Sequence, residues 1–333
     1  MRARRILLRV AGRIGQMAVL LLLVVLTVFA LVHMAGGDPA NLYLGIGASA
    51  EQVAALRSQM GLDRPLPEQF LRMLGQLLRG DFGMSLGYRQ PVADVILQKL
   101  PATLLLMGAG YLFAVVVGVT AGIIGAWGQD TPLETAVRVG SGLVYAQPEF
   151  IVGILILVLV TAFVPGLPIV GMGEARAGGW PAPGDLLLHL IGPAIALGIT
   201  RAGIYARMTI AAMLSALNQD YIVTHRAAGF GMRRIVLVYA LRNAMLPIVT
   251  TIGIEIRFLF AGAVLTEVIF SWPGIGRLIF DGILNRDAPL IIGVFFIVAV
   301  LTMLINLATD LVYALLDPRI RAGEGIDAGA APQ

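Results

Sequence analysis

Few side chains in this 333-residue chain could perform covalent chemistry. The chain has no cysteine, which removes disulfides, thiolate metal sites and thiol nucleophiles. Its only lysine, Lys99, stands in "LQKLP" with no glycines before it. The phosphate-cradling pattern G-x-x-x-x-G-K-[ST] is therefore missing, and ATP-driven work would fall to a partner. His33, His189 and His225 are scattered without metal-ligand spacing. What remains is charge in unusual places. Glu149, Arg201, Glu255, Arg257, Glu267 and Asp310 fall within or beside apolar stretches, and "DYIVTHRAAGFGMRR" at 220–234 sets small residues and four Arg/His side chains between two such stretches. An ionisable group inside a bilayer costs a few kcal/mol unless it faces protein or water, so these positions are candidates for a path lining, an ion pair or a proton relay.

The bilayer itself is implied by composition. Hydrophobic residues make up 58% of the chain and charged ones 13%, about half the charged share of an ordinary soluble domain. Six segments reach the roughly 20 apolar residues a membrane-crossing helix needs: 14–34, 101–127, 139–164, 186–208, 247–269 and 290–316. The first follows an arginine-rich start, yet its apolar run exceeds a cleavable signal's core of about 7–15 residues, so a retained helix is expected. Arginine asymmetry sets the orientation. Arg2, Arg4, Arg5, Arg9 and Arg13 precede the first span, Arg226, Arg233, Arg234 and Arg242 lie in the 209–246 segment, and Arg319 and Arg321 follow the last span. The short loops 165–185 and 270–289 hold only Arg176, Arg277 and Arg286. Both termini and the 209–246 segment are expected on the cytoplasmic side. The resulting division is a tail at 1–13, a first span at 14–34, an outer loop domain at 35–100, a five-span core at 101–316 and a tail at 317–333.

The outer loop has the marks of folded structure. "SAEQ" is a capping-box pattern with Ser49 as cap and Gln52 at the third helical position, and Gly61 is placed to end that helix. Phe70, Leu74, Leu77 and Leu78 form one apolar stripe on a second helix closed by Arg79 and Gly80. Within the spans, Ala114, Gly118 and Gly122 repeat every four residues, as do Ala194, Gly198, Ala202 and Ala206. Such small-residue stripes are helix–helix seams, either within one chain or between two. Pro148 and Pro193 are potential kinks, and Pro247 is expected to open the fifth span.

Depth separates the charged residues. Arg201 lies far enough along the fourth span to snorkel toward the cytoplasm, near Arg207, Asp310 is near the cytoplasmic end of its helix, and Glu267 is near the outer end of the fifth span. Glu255 and Arg257 sit deeper, and two positions on a helix are about 200° apart, so they cannot pair with each other. One is expected to face a cavity and the other a neighbouring helix, with Glu149 as a partner. On this reading, neutralising Glu255 or Arg257 does more harm than neutralising Arg201. In the 220–234 segment, Asp220 can cap a short helix running from Tyr221 to Ala228, with Gly229 ending it. Ala227, Ala228 and Gly229 then offer a close backbone approach, while Arg226, Arg233 and Arg234 offer charge to an acidic rim or anionic lipid. The plainer reading of the same segment is an ordinary basic cytoplasmic loop.

Several stretches together weigh against the plainer reading. "GGDPANLYLG", "GLDRPLPEQFLRMLGQLLRGDFGMSL", "LPATLLL", "DYIVTHRAAGFGMRRIVLVYALRNAMLPIVT", "FSWPGIGRL" and "DLVYALLDPRIR" resemble the permease subunits of binding-protein-dependent ABC importers of the dipeptide/oligopeptide type, and the first of their two permeases in particular. The resemblance covers nearly the whole chain. It implies an all-α, six-span type I importer permease fold with a small folded outer loop, in the cytoplasmic (inner) membrane. It also implies a second, homologous permease as heterodimer partner, two ATP-binding subunits that carry ATP and Mg, and an extracytoplasmic substrate-binding protein. No cofactor, no nucleic acid and no enzymatic step would belong to this chain. The EAA motif of such importers, whose coupling helix seats in the ATPase, maps onto Ala227 and Gly229 with Leu246-Pro247 downstream, and implicates Tyr221, Arg226, Ala228, Arg233 and Arg234 around them. The motif's leading Glu is missing here, and Gly229 lies 18 positions before Pro247, longer than the general spacing, but "RAAG…RNAMLP" fits the peptide-type branch. The implied cargo is a di- or oligopeptide; nickel, glutathione or another small solute would use a closely similar permease. A proton-coupled secondary transporter is the rival class, and no inverted repeat or pair of broken helices favours it.

Overall fold

A computed structural model describes residues 2–34, 44, 49–174, 179–255 and 259–316. The expected features at 35–43, at Arg176, at Arg257 and in the 317–333 tail lie outside the described residues, as does the side chain of Asp310. The described chain is helical: α1 (Arg2–Met34), α2 (Ala50–Met60), α3 (Leu66–Leu78), α4 (Val92–Trp127), α5 (Pro132–Tyr145), α6 (Glu149–Phe163), α7 (Pro183–Leu217), α8 (Asp220–Ala227), α9 (Met232–Glu255), α10 (Leu259–Ile269), α11 (Ile275–Leu284) and α12 (Ala288–Leu316). No strand forms among the described residues, and one isolated antiparallel bridge pairs Met84 with Pro91. Two compact units result, one from residues up to Pro101 with 274–304, the other from 102–273 with the residues after 304.

In the first unit, α1 runs from Arg2, so residues 2–13, expected as a tail, continue the first helix. The capping box forms: Ser49 Oγ accepts from Gln52 N at 3.2 Å and Ser49 N donates to Gln52 Oε1 at 3.0 Å. Gly61 closes α2 in the left-handed region at φ 69°. The stripe on α3 is shifted from the expected one. Phe70, Met73, Leu74 and Leu77 pack with Val25 of α1 and Phe296 of α12, whereas Leu78 is 70% exposed. A helix advances 100° per residue, and the 70–74–77 row carries Met73 inward and Leu78 out. Gln69 holds the α2–α3 turn by donating to the carbonyls of Leu62 (3.0 Å) and Arg64 (2.7 Å).

A buried carboxylate the sequence reading passed over organises the rest of this unit. Asp287 is fully buried, and its Oδ2 accepts from Ser85 Oγ at 2.5 Å and from Gly87 N at 3.1 Å. Its Oδ1 accepts from Leu290 N at 3.2 Å, the N-cap bond of α12. "DAPL" is a readable helix start, with Asp at the cap and Pro at the second helical position.

The second unit is built around α7, most of whose residues between His189 and Leu217 are buried. Both small-residue stripes meet here, so the seam lies within the chain. A methyl group on Gly118 of α4 would sit 2.5 Å from the Ala202 carbonyl oxygen, and one on Gly203 of α7 would sit 2.6 Å from that of Ser141 in α5. Only residues without a Cβ allow backbones this close.

Two of the expected spans differ. The segment 139–164 is not one rod: α5 and α6 meet at a 103° bend across residues 146–148. Pro148 supplies no N–H at the entry to α6 and disfavours helical backbone at Gln147. Among the described residues, helices long and apolar enough to cross a membrane therefore number five, or six if the bent pair counts as one. Pro247 does not open a helix; it lies inside α9, which continues from Met232 to Glu255 through a π-helical turn at Ile235–Ala240. Both Pro247 and Asn243 are exposed, so the carbonyl that lacks its helical donor is not sealed into the core. Helical bonding also extends other spans past their apolar windows: α4 starts at Val92 within the expected loop domain, and α7 covers 183–217.

Candidate functional site

The 220–234 segment is a local structure closed by its own sequence. Gln219, not Asp220, takes the cap position of α8, and Asp220 is the acidic residue of its first turn, where it meets the positive end of the helix dipole. The other end is a Schellman closure: Phe230 N donates to His225 O at 3.1 Å and Gly229 N to Arg226 O at 3.0 Å, with Gly229 at φ 79°. Only glycine takes this conformation without steric cost.

Aromatic contacts fasten the turn. His225 stacks on Tyr239 with ring centroids 3.8 Å apart and lies 5.5 Å from Phe230, and the Arg234 guanidinium sits 4.6 Å from the Phe230 ring centroid. Ile222 anchors α8 in a core with Met213 and Leu217 of α7 and Ile235, Val236 and Ile248 of α9. The outer face is Val223, Thr224, Arg226, Ala227, Ala228 and Gly229, all exposed, together with Arg233. Among the described residues, none beyond its two chain neighbours lies within 4 Å of where a Gly229 side chain would begin. Tyr221 is placed differently from its expected neighbours. It is half-buried, packs on the core and has its ring 6.1 Å from that of His225.

The charged residues of the second unit converge where the sequence reading did not put them. Arg201, expected to snorkel, is buried on α7 and is the hub. Its Nη1 donates to Glu255 Oε2 of α9 at 2.9 Å, and its Nη2 lies 3.7 Å from Glu149 Oε2 at the start of α6. Glu149 and Glu255 are thus brought together, through an arginine read as peripheral. Snorkelling was a rule about an isolated helix; α7 is central, so its residues near Arg201 face other helices. The expected ranking of neutralisations is revised accordingly, since removing Arg201 would strand two carboxylates rather than one charge.

Glu267 does not join this group. It is fully buried in α10 and accepts from Thr103 Oγ1 at 2.6 Å, beside a second tie in which Trp272 Nε1 donates to the Ala102 carbonyl at 2.8 Å. Pro247 is separate from both places, on the exposed side of α9. Sequence reasoning missed the role of Gly262 altogether: its backbone lies against the Glu149 carboxylate, on which any side chain there would fall. No group of three or more His, Cys, Asp or Glu side chains suited to a metal ion occurs among the described residues.

Several helices long and apolar enough to cross a membrane, with a small folded insertion between the first two of them, are the architecture of a membrane transport component. Residues 118–322 match the family described as "Binding-protein-dependent transport system inner membrane component", and residues 4–107 match the N-terminal family of the same membrane components. The chain belongs to this family of inner-membrane transport permeases. It is 37% identical over 330 residues to the dipeptide transport system permease protein DppB of Escherichia coli K12, covering 93% of this chain and 97% of that one. It is also 37% identical over 329 residues to the di/tripeptide transport system permease protein DppB of Pseudomonas aeruginosa (94% and 98%). To the glutathione transport system permease protein GsiC of E. coli O1:K1 it is 38% identical over 303 residues (90% and 94%). Among solved structures, the inward-facing MetNI methionine ABC transporter shares the fold, with a TM-score of 0.54 at 17% identity over 67% of this chain and 96% of that chain. The type I importer permease fold is thereby established.

Proposed function

We propose that this chain forms half of the membrane pathway of an ATP-driven importer for di- or oligopeptides. A second, similar permease would complete the pathway, two ATPase subunits carrying ATP and Mg would drive it, and an external binding protein would deliver cargo. The termini and 220–234 would face the cytoplasm. Ala227, Ala228 and Gly229 would seat in the ATPase, with Arg226 and Arg233 at the rim. Tyr221, Phe230 and Arg234 would hold the shape of the docking helix from behind. The peptide relatives, and a glutathione permease among them, support a peptide-like cargo.

The observation that carries this reading is the exposed, small-residue apex at 227–229 on a helix closed by Gly229 and anchored by Ile222. A flat backbone surface of this kind gains most from a complementary groove. Gly229→Arg tests it. The variant should insert and pair with the second permease but copurify without ATPase subunits and lose uptake in proteoliposomes. Full ATPase content with normal uptake would refute the docking assignment.

A further inference from the structure

The Arg201 cluster has two arms that are held very differently. The Glu255 arm is backed on several sides. The hydrogen bond is short at 2.9 Å, and three residues earlier on α9 the Ile252 carbonyl accepts from Tyr111 Oη of α4 at 2.8 Å. Tyr111 in turn meets the buried Tyr205 edge-on, one helical turn from Arg201. Ile248 of α9 is buried in the core shared with α7. These contacts fix α9 against α4 and α7 on the Ile248–Ile252 side of the ion pair.

The Glu149 arm is held more loosely, since the packing of α6 begins further along the helix, at Gly153, Ile156, Leu157 and Val160 against Ala196 and Phe270. The charges are 3.7 Å apart, and Glu149 Oε1 has no hydrogen-bond partner among the described residues. Glu149 opens α6 directly after the 103° bend, whose residues Tyr145, Ala146, Gln147 and Pro148 are all exposed. Only Gly153 of α6 is buried. The carboxylate rests on the bare backbone of Gly262, a seat without a side chain to retain it.

We infer that Arg201 is a positioning residue of the transport cycle, a clamp with a permanent arm to Glu255 and a breakable arm to Glu149. Closed, it ties α6 to the α7–α9 pair; opened, it frees α6 to move about the 146–148 joint while Arg201 keeps Glu255 as its counter-ion. A buried guanidinium with two carboxylates can give up one without being left unpaired, which is the property a two-state element needs. The inference rests on the importer reading, and the clamp equilibrium would be one of the steps that ATP and cargo bias.

The test uses the complete complex, with its ATPase subunits and binding protein, in proteoliposomes. Glu149→Gln should leave the amount of assembled complex unchanged and raise ATP hydrolysis in the absence of binding protein on the order of fivefold, the lower end of ordinary site-to-site coupling. Gly262→Ala should do the same without altering any charge, because its methyl displaces the carboxylate. In a Glu149→Ala background Gly262→Ala should add nothing. Glu255→Gln should instead cost assembly. An independent readout is the labelling rate of Gln147→Cys, the only thiol in an otherwise cysteine-free chain, which should rise in the Glu149→Gln and Gly262→Ala backgrounds. Wild-type hydrolysis and labelling in both variants would overturn the clamp, as would loss of assembly by Glu149→Gln equal to that of Glu255→Gln. Failure of the wild-type complex to take up solute with ATP would count against the importer reading, while the labelling rates would still decide the clamp.

Discussion

The segment at 220–230 and the Arg201 cluster are both exceptional in composition, and they are built by opposite means. The first is closed by neighbours in sequence. Gly229 takes the left-handed turn, Phe230 and Gly229 donate hydrogen bonds to carbonyls five and three positions before them, and His225 stacks on Tyr239 only 14 positions away. The second joins Glu149, Arg201 and Glu255, separated by 52 and 54 positions, on three different helices. Locally closed structure can be displayed outward and change partner without disturbing the core. A cluster spread over three helices reports their relative position, so it is suited to registering motion. The proposed docking and clamp roles therefore call on different kinds of structure.

The contrast is sharpest for substitutions that remove one member of each. Arg201→Met leaves two half-buried carboxylates without the guanidinium between them and should cost about 3–5 kcal/mol, read as loss of assembled complex after detergent extraction. Neutralising all three groups, as Arg201→Met with Glu149→Gln and Glu255→Gln, should recover most of that loss; no recovery would mean that Arg201 acts by shape and not by charge. Leu77→Ala, in the packed row of α3, should cost about 2–5 kcal/mol of stability, whereas Leu78→Ala, one position on and exposed, should change it by less than about 0.5 kcal/mol. Gly229→Ala should cost about 1–2 kcal/mol for forcing a side chain into the left-handed region, and should loosen α8 alone, seen as faster proteolysis within 225–234 with an unchanged melting transition. A global loss of stability from that change would erase the distinction between the two regions.

Much of the local architecture was legible before any coordinates. The Ser49–Gln52 capping box, the glycine stops at Gly61, Gly80 and Gly229 and the small-residue seams appear where their chemistry puts them, because each depends on a few consecutive residues or a fixed period. Breaks and charges were harder. Pro148 stops a rod while Pro193 and Pro247 pass through theirs, since the outcome depends on whether the freed carbonyl finds water, protein or neither. The "DAPL" start marks Asp287 as a helix cap, but its bonds to Ser85 and Gly87 cross about 200 positions of sequence and exist only once the fold brings them together.

Composition and periodicity by themselves determined that this is a lipid-embedded bundle of helices without the G-x-x-x-x-G-K-[ST] pattern, and that 220–229 is a helix ended by glycine. Those properties follow from hydration and backbone sterics, which act residue by residue. Only the tertiary structure decided that both small-residue stripes face each other within one chain, that Arg201 is enclosed and not snorkelling, and that Glu149 is its loosely held partner across a bent helix. Each of those depends on how helices are rotated about their own axes, and that rotation is fixed by packing among distant segments, which no single segment's sequence encodes.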